Sequence, residues 1–128
     1  MSASTAIIPL PVRLDTFRAG EIDERAIDFT NDLAPYGDSL ASVIAVAVVG
    51  RDDGAGLGPG DLRIIQGDPQ RATTIDGTAM VVGWWQTSSD AIASNGVSID
   101  YTINVRALTT NGRTIMCDAQ QLVVPLRG

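Results

Sequence analysis

"IDYTINVRALTTNGRTIMCDAQ", residues 99–120, decides the fold. From Val97 to Ala107 the chain alternates. Val97, Ile99, Tyr101, Ile103, Val105 and Ala107 share one parity, while Ser98, Asp100, Thr102, Asn104 and Arg106 share the other. Successive side chains of a strand point to opposite faces, so the pattern predicts a strand with one buried and one wet face. Thr-Thr-Asn-Gly-Arg follows, and Ile115, Cys117 and Ala119 offer a matching apolar parity on a return strand. Parity also sets the register. A two-residue turn at Asn111-Gly112 would place Val105 beside Asp118 and Ile103 beside Gln120, apolar against polar. A three-residue loop, Thr110 to Gly112, instead pairs Ala107 with Ile115, Val105 with Cys117 and Ile103 with Ala119. It also gives Gly112 the left-handed position of a bulged hairpin. Beyond the hairpin the apolar residues change parity to Leu122 and Val124, which predicts a bulge at Gln120-Gln121 before the strand ends near Pro125.

Working outward, Ser39 to Val49 carries β-branched residues and alanine on both parities and reads as a central strand covered on both faces. Gly50 to Gly60 is a turn-forming loop. Leu62–Ile65 and Thr73–Ile75 read as short strands, with turns at Gly67-Asp68-Pro69 and Asp76-Gly77. Thr78 to Gln86 (TAMVVGWWQ) reads as a further strand, and Thr87 to Gly96 as a polar loop with a helical turn near Ala91–Ala93. Before Asn31 the only helical candidate is a turn at Glu21–Ala26. Short strands, frequent turn signals and no amphipathic helix of useful length predict an all-β, antiparallel β-sandwich over residues 16–128. Residues 1–15, with Pro9 and Pro11, read as an extended N-terminal arm lying on the domain or on a neighbour.

The composition removes several functions. The 128 residues fit one domain with a single core. The chain is 45% hydrophobic but only 19% charged, so apolar surface is expected to remain after folding, and leftover apolar surface suggests assembly. The net charge is −6, and every basic residue is Arg. A nucleic-acid binder needs a cationic footprint to displace counterions, so neither nucleic acid nor an anionic membrane is an expected partner. The lone Cys117 allows no intrachain disulfide. The opening MSASTAIIPLPVRLD lacks a basic region ahead of its short apolar run and is not expected to act as a secretory signal. Leu40–Val49, the longest apolar stretch, is about half of the ~20 residues a membrane helix needs, so a soluble protein is expected.

Candidate chemistry is sparse. With no His and no Lys, the chain cannot assemble a Ser-His, Cys-His or Lys-based nucleophile. Asp23, Glu24, Asp28 and Asp32 cluster and could serve as paired carboxylates, although acidic residues ahead of a strand are more often solvated. Arg51-Asp52-Asp53-Gly54 has a faint calcium-turn character without EF-hand spacing, and a plain surface loop is the stronger reading. No catalytic residue, cofactor or metal ligand is assigned. Trp84-Trp85 places adjacent indoles on opposite faces of a strand, one for the core and the other for a covering loop, solvent or a partner. Cys117 reads as a small buried hydrophobe.

Two stretches together suggest a family. "AIDFTNDLAPYGDSLASV" (26–43) supplies Ile27-Asp28-Phe29, Leu33 and Gly37-Asp38-Ser39-Leu40-Ala41-Ser42. "SIDYTINVRALTTNGRTIMCDAQQLVV" (98–124) supplies Tyr101, Thr102, Thr109, Thr110, Gly112, Arg113 and Thr114. In this the chain resembles the small bacteriophage virion proteins described as fiber-tail adaptors, which carry an immunoglobulin-like sandwich. The resemblance implies a non-enzymatic adaptor joining tail or neck to fibers, present in multiple symmetric copies and assembled into the virion in the host cytoplasm. Other virion proteins of the tail, neck or fibers would be its partners. A capsid decoration protein or a host-surface carbohydrate-binding module, using one Trp with Asp90 or Asn95, is the alternative. For an adaptor, the expected contact residues are Ile7, Ile8, Pro9 and Leu10 of the arm and Trp84 and Trp85. Arg13, Arg106 and Arg113 are available for polar rim pairs, and the hairpin edge is free to pair with a neighbouring strand.

Overall fold

The structure, a computed structural model, describes residues 12–88 and 98–125. It is all-β apart from one short helical passage. In chain order the strands are β1 (Val12–Arg13), β2 (Phe17–Arg18), β3 (Ile22–Asp28), β4 (Leu40–Arg51), β5 (Arg63–Ile64), β6 (Thr74–Asp76), β7 (Met80–Gln86), β8 (Ile99–Thr109) and β9 (Thr114–Val124). Between β3 and β4 lie α1 (Thr30–Leu33) and a 3-10 turn (Ala34–Tyr36). One sheet runs β1-β9-β8-β4, with β2 also on β9. The other runs β3-β7-β5, with β6 beside β5 on the same side of β7. One core joins them, with Trp85 and Val81 from the second sheet meeting Phe17, Tyr101, Ile103 and Val105 from the first.

The hairpin has the register that parity predicts. Ala107 faces Ile115, Val105 faces Cys117 and Ile103 faces Ala119, and Gly112 adopts φ 84°. The bulge expected at Gln120-Gln121 does not form. The ladder is unbroken from Leu108↔Thr114 to Ile99↔Val123, and Gln121 stays on the inward parity, fully buried. Its amide finds partners for both ends. Trp85 Nε1 donates to its Oε1 at 3.1 Å, and its Nε2 donates to the Asp15 carbonyl at 2.6 Å. A satisfied amide can be buried at little cost, so the strand has no need to change face.

β4 overturns the central-strand reading. Among the described residues it pairs only with β8 and forms the sheet's outer edge. Its ladder skips Ala41, Ile44 and Val49, each the extra residue of a bulge. These skips bring Leu40, Val43, Val46, Val48 and Arg51 opposite Thr109, Ala107, Val105, Ile103 and Tyr101, all on β8's inward parity. A bulge inserts one residue and so reverses the parity that follows. Apolar residues on both parities therefore reflect three bulges and not two covered faces, and Ile44 and Val49 remain exposed at 48% and 57%.

The sheet is not purely antiparallel. β1 and β2 run parallel to β9, Val12↔Ala119 and Phe17↔Val123, and the Leu14 and Ala19 amides donate to the Gln120 and Val124 carbonyls, both at 3.0 Å. Leu14 packs against the core. The helical turn expected at Glu21–Ala26 is instead β3, paired along its whole length with β7. Its charges are tolerated because most of its side chains reach water, and Ile27 alone within it is buried. The expected strands near 62–65, 73–75 and 78–86 form as β5, β6 and β7, with Gly67 and Gly77 at positive φ in the turns. The expected helical turn at Ala91–Ala93 lies outside the described residues.

Candidate functional site

The two familiar stretches meet at Asp38. This aspartate follows the 3-10 turn, and the hairpin loop folds over it. Its Oδ1 accepts hydrogen bonds from Thr110 Oγ1 at 2.9 Å and from the Ser39 and Asn111 amides at 2.9 and 3.1 Å. Its Oδ2 accepts from Arg113 Nε at 3.2 Å, and the carboxylate is fully enclosed. Burial alone would push its pKa up. Donation from Thr109, Ser39, Thr110 and Asn111 outweighs that and holds it well below the usual carboxylate range. Arg113 also donates to the Asp32 carbonyl at 3.2 Å and lies 3.9 Å over the Tyr36 ring. It is thus the clasp of an internal junction, not a free rim residue.

The other interface candidates are dispersed. Trp85 is core, while Trp84 is half-buried on the opposite face of β7 with the Arg71 guanidinium 5.6 Å over its ring. Gly83 makes the Trp85 position possible, since a Cβ there would sit 2.6 Å from the indole Cζ3. Arg13 pairs with Asp100 at 2.7 Å, fastening β1 to β8 across β9. Arg106 is exposed, its Nε 3.5 Å from Met116 Sδ, and makes no ion pair among the described residues. Ile7, Ile8, Pro9 and Leu10 lie outside the described residues, as do Asp90 and Asn95.

The Arg51-Asp52-Asp53-Gly54 loop folds around a buried charge. The Arg51 side chain bonds to Asp53 and, at 3.1 Å, to Asp61. Asp61 also accepts from Tyr101 Oη at 2.5 Å and from the Gly58 amide at 2.6 Å. Burial, reinforced by the Asp61 carboxylate, pushes the Tyr101 hydroxyl far above its ordinary pKa. Arg51 thus occupies the carboxylates that a hard cation would want. Among the described residues, no group of three or more His, Cys, Asp or Glu could hold a metal ion. Sequence reading missed Asp61 and Tyr101 as partners, because they lie 40 residues apart and no pattern in the sequence links the two.

The 23–32 carboxylates do not converge on a reactive pair. Asp23 is engaged by Arg25 at 2.7 Å and Asp28 by the Thr30 hydroxyl at 2.5 Å, and both pKa values fall. A general acid would need the opposite shift. Arg25 also donates to the Asp15 and Thr16 carbonyls and lies over Phe17, tying the entry of the chain to β3. Cys117 is half-buried opposite Val105, and burial first, then the Asp32 and Asp118 charges, push its thiol up to about 11.

What remains is a surface. Along β4, two grooves of about 320 and 300 Å³ separate the edge strand from the second sheet. Val43–Val48 form one wall, and Leu57, Gly58, Leu62 to Gly67, Ala72 and Thr73 the other, with Arg63, Gln66 and Thr73 making it partly polar. The hairpin itself is flanked by β4 on one side and by β1 and β2 on the other, so among the described residues its sheet is left open beside β4. No protein-family model, curated protein or solved structure matches this chain.

Proposed function

We propose that this chain is a non-enzymatic assembly component of a tailed bacteriophage particle, an immunoglobulin-like sandwich that joins tail or neck to fibers through repeated protein contacts. One observation carries the reading. Gly37-Asp38-Ser39 and Thr109–Arg113, which bear the resemblance to fiber-tail adaptors, are bound together through Asp38. The two patterns therefore have a shared physical reason to occur together. A strand edge without charge from Leu40 to Gly50, flanked by grooves and unpaired among the described residues, supports contact as the chain's business. A carbohydrate platform has less support, because the Trp84 ring already carries Arg71. Immunogold labelling of epitope-tagged particles tests the proposal: label at the neck or fiber base is expected. Purified virions without this chain would end it, and label spread over the head would favour capsid decoration.

A further inference from the structure

An asparagine followed by glycine can attack itself, because the glycine has no side chain to keep its amide nitrogen from the asparagine Cγ. Asn111-Gly112 stands at the tip of the hairpin, and both residues are exposed to water. Among the described residues the Asn111 side chain makes no hydrogen bond; only its backbone amide is engaged. The backbone around it is held closed. The Gly112 amide donates to the Thr109 carbonyl at 3.0 Å, the Thr109 amide to the Arg113 carbonyl at 2.8 Å and the Thr110 amide to the Ser39 carbonyl at 2.9 Å. Asp38 adds charge-assisted bonds from the Asn111 amide and the Thr110 hydroxyl, the stronger kind. The nitrogen that would attack is thus tied through its proton to a carbonyl. Asp38 binds the neighbouring amide instead, so it holds the loop and does not act as a base on Gly112.

We infer that Asn111-Gly112 is a latent modification site, at which the chain deamidates itself when the Asp38 clasp opens and is left with that clasp weakened. In the open loop the Gly112 nitrogen bonds to Asn111 Cγ as the bond from Cγ to the side-chain nitrogen breaks. The proton that the Gly112 nitrogen gives up is balanced by the one that leaves with ammonia. Water then opens the cyclic imide at either carbonyl, giving an aspartate or an isoaspartate at position 111. Net, one water replaces one ammonia, and nothing is oxidised or reduced. Both products strain the clasp. The new carboxylate lies beside that of Asp38 in a chain already at −6, and like charges at one site repel. The isoaspartate also adds a carbon to the backbone of a loop whose length sets its register. The bonds from Gly112 to Thr109 and from Thr109 to Arg113 then cannot both be kept.

Cleavage after Arg106 and Arg113 frees residues 107–113, so mass spectrometry reads this site apart from the other Asn-Gly pair, Asn95-Gly96. The full chain is incubated at mildly alkaline pH, folded and in urea. A modification that needs an open state runs at a rate set by that state's population, so the folded chain should deamidate at position 111 at least about tenfold more slowly than the unfolded one. Asp38→Asn, folded by circular dichroism, should restore most of the unfolded rate. Thr110→Val keeps the backbone bond to Ser39 and should restore part of it, which decides the matter if Asp38→Asn does not fold. The deamidated chain, separated by its added charge, should unfold at lower urea than its parent. Equal rates in the folded and unfolded chain overturn the inference. So does a folded rate that neither variant raises, or a deamidated chain as stable as its parent. None of these outcomes bears on whether virions contain the chain, so the two proposals fail separately.

Discussion

Single side chains decide much of the stability, and the buried polar ones decide most. Asp61 neutralises an Arg51 side chain that is only 3% exposed. Asp61→Ala should cost about 1–3 kcal/mol in urea unfolding, because Tyr101 Oη and one end of the Arg51 guanidinium lose their acceptor while Asp53 still pairs with Arg51. Gln121→Ala would orphan Trp85 Nε1 and leave the Asp15 carbonyl with Arg25 as its donor, and a loss of about 1–3 kcal/mol is expected. Gly83→Ala should also destabilise, by about 1–3 kcal/mol, since the Trp85 ring must move within a filled core. These positions were poorly legible in the sequence. A glutamine at the inward parity looks like an error to be corrected by a bulge, and only the indole across the core explains it.

At the level of elements, the hairpin was legible because its alternation is strict and its turn chemistry admits one register. β4 was not, since a period broken three times looks like no period at all. The bulge account separates residues that a two-faced strand would treat alike. Val46→Ala should lower stability by about 2 kcal/mol, whereas Ile44→Ala, at a skipped and exposed position, should change it by less than about 0.5 kcal/mol. Thermal or urea unfolding of the two variants checks this, and equal losses would restore the two-faced strand. β3 was hidden for another reason. Four charged residues in seven mask a strand whose pairing with β7 is made by the backbone and whose side chains mostly face water. Of the candidate contact residues, Trp85 is in the core and Arg113 is engaged at the surface by Asp38 and Tyr36, which sequence adjacency could not reveal.

For the whole molecule, acid should be the effective denaturant. The Asp38 carboxyl lies below its unfolded value of about 3.9. Its contribution is therefore complete above that pH and is lost as pH falls through the folded value. Asp23, Asp28, Asp53 and Asp68 are shifted the same way. The urea midpoint is expected to stay level from pH 7 to about 5 and to drop below about pH 4, with a shallower drop in Asp38→Asn. The parallel seating of β1 and β2 on β9 has a mechanical consequence. The chain enters at the start of β1 and leaves past the end of β9, so a tug on the two ends slides these strands lengthwise. Their hydrogen bonds, Leu14 to Gln120 and Ala19 to Val124 among them, then bear the load in shear together and do not unzip in turn. Pulled from its two ends, such a link would yield abruptly and late.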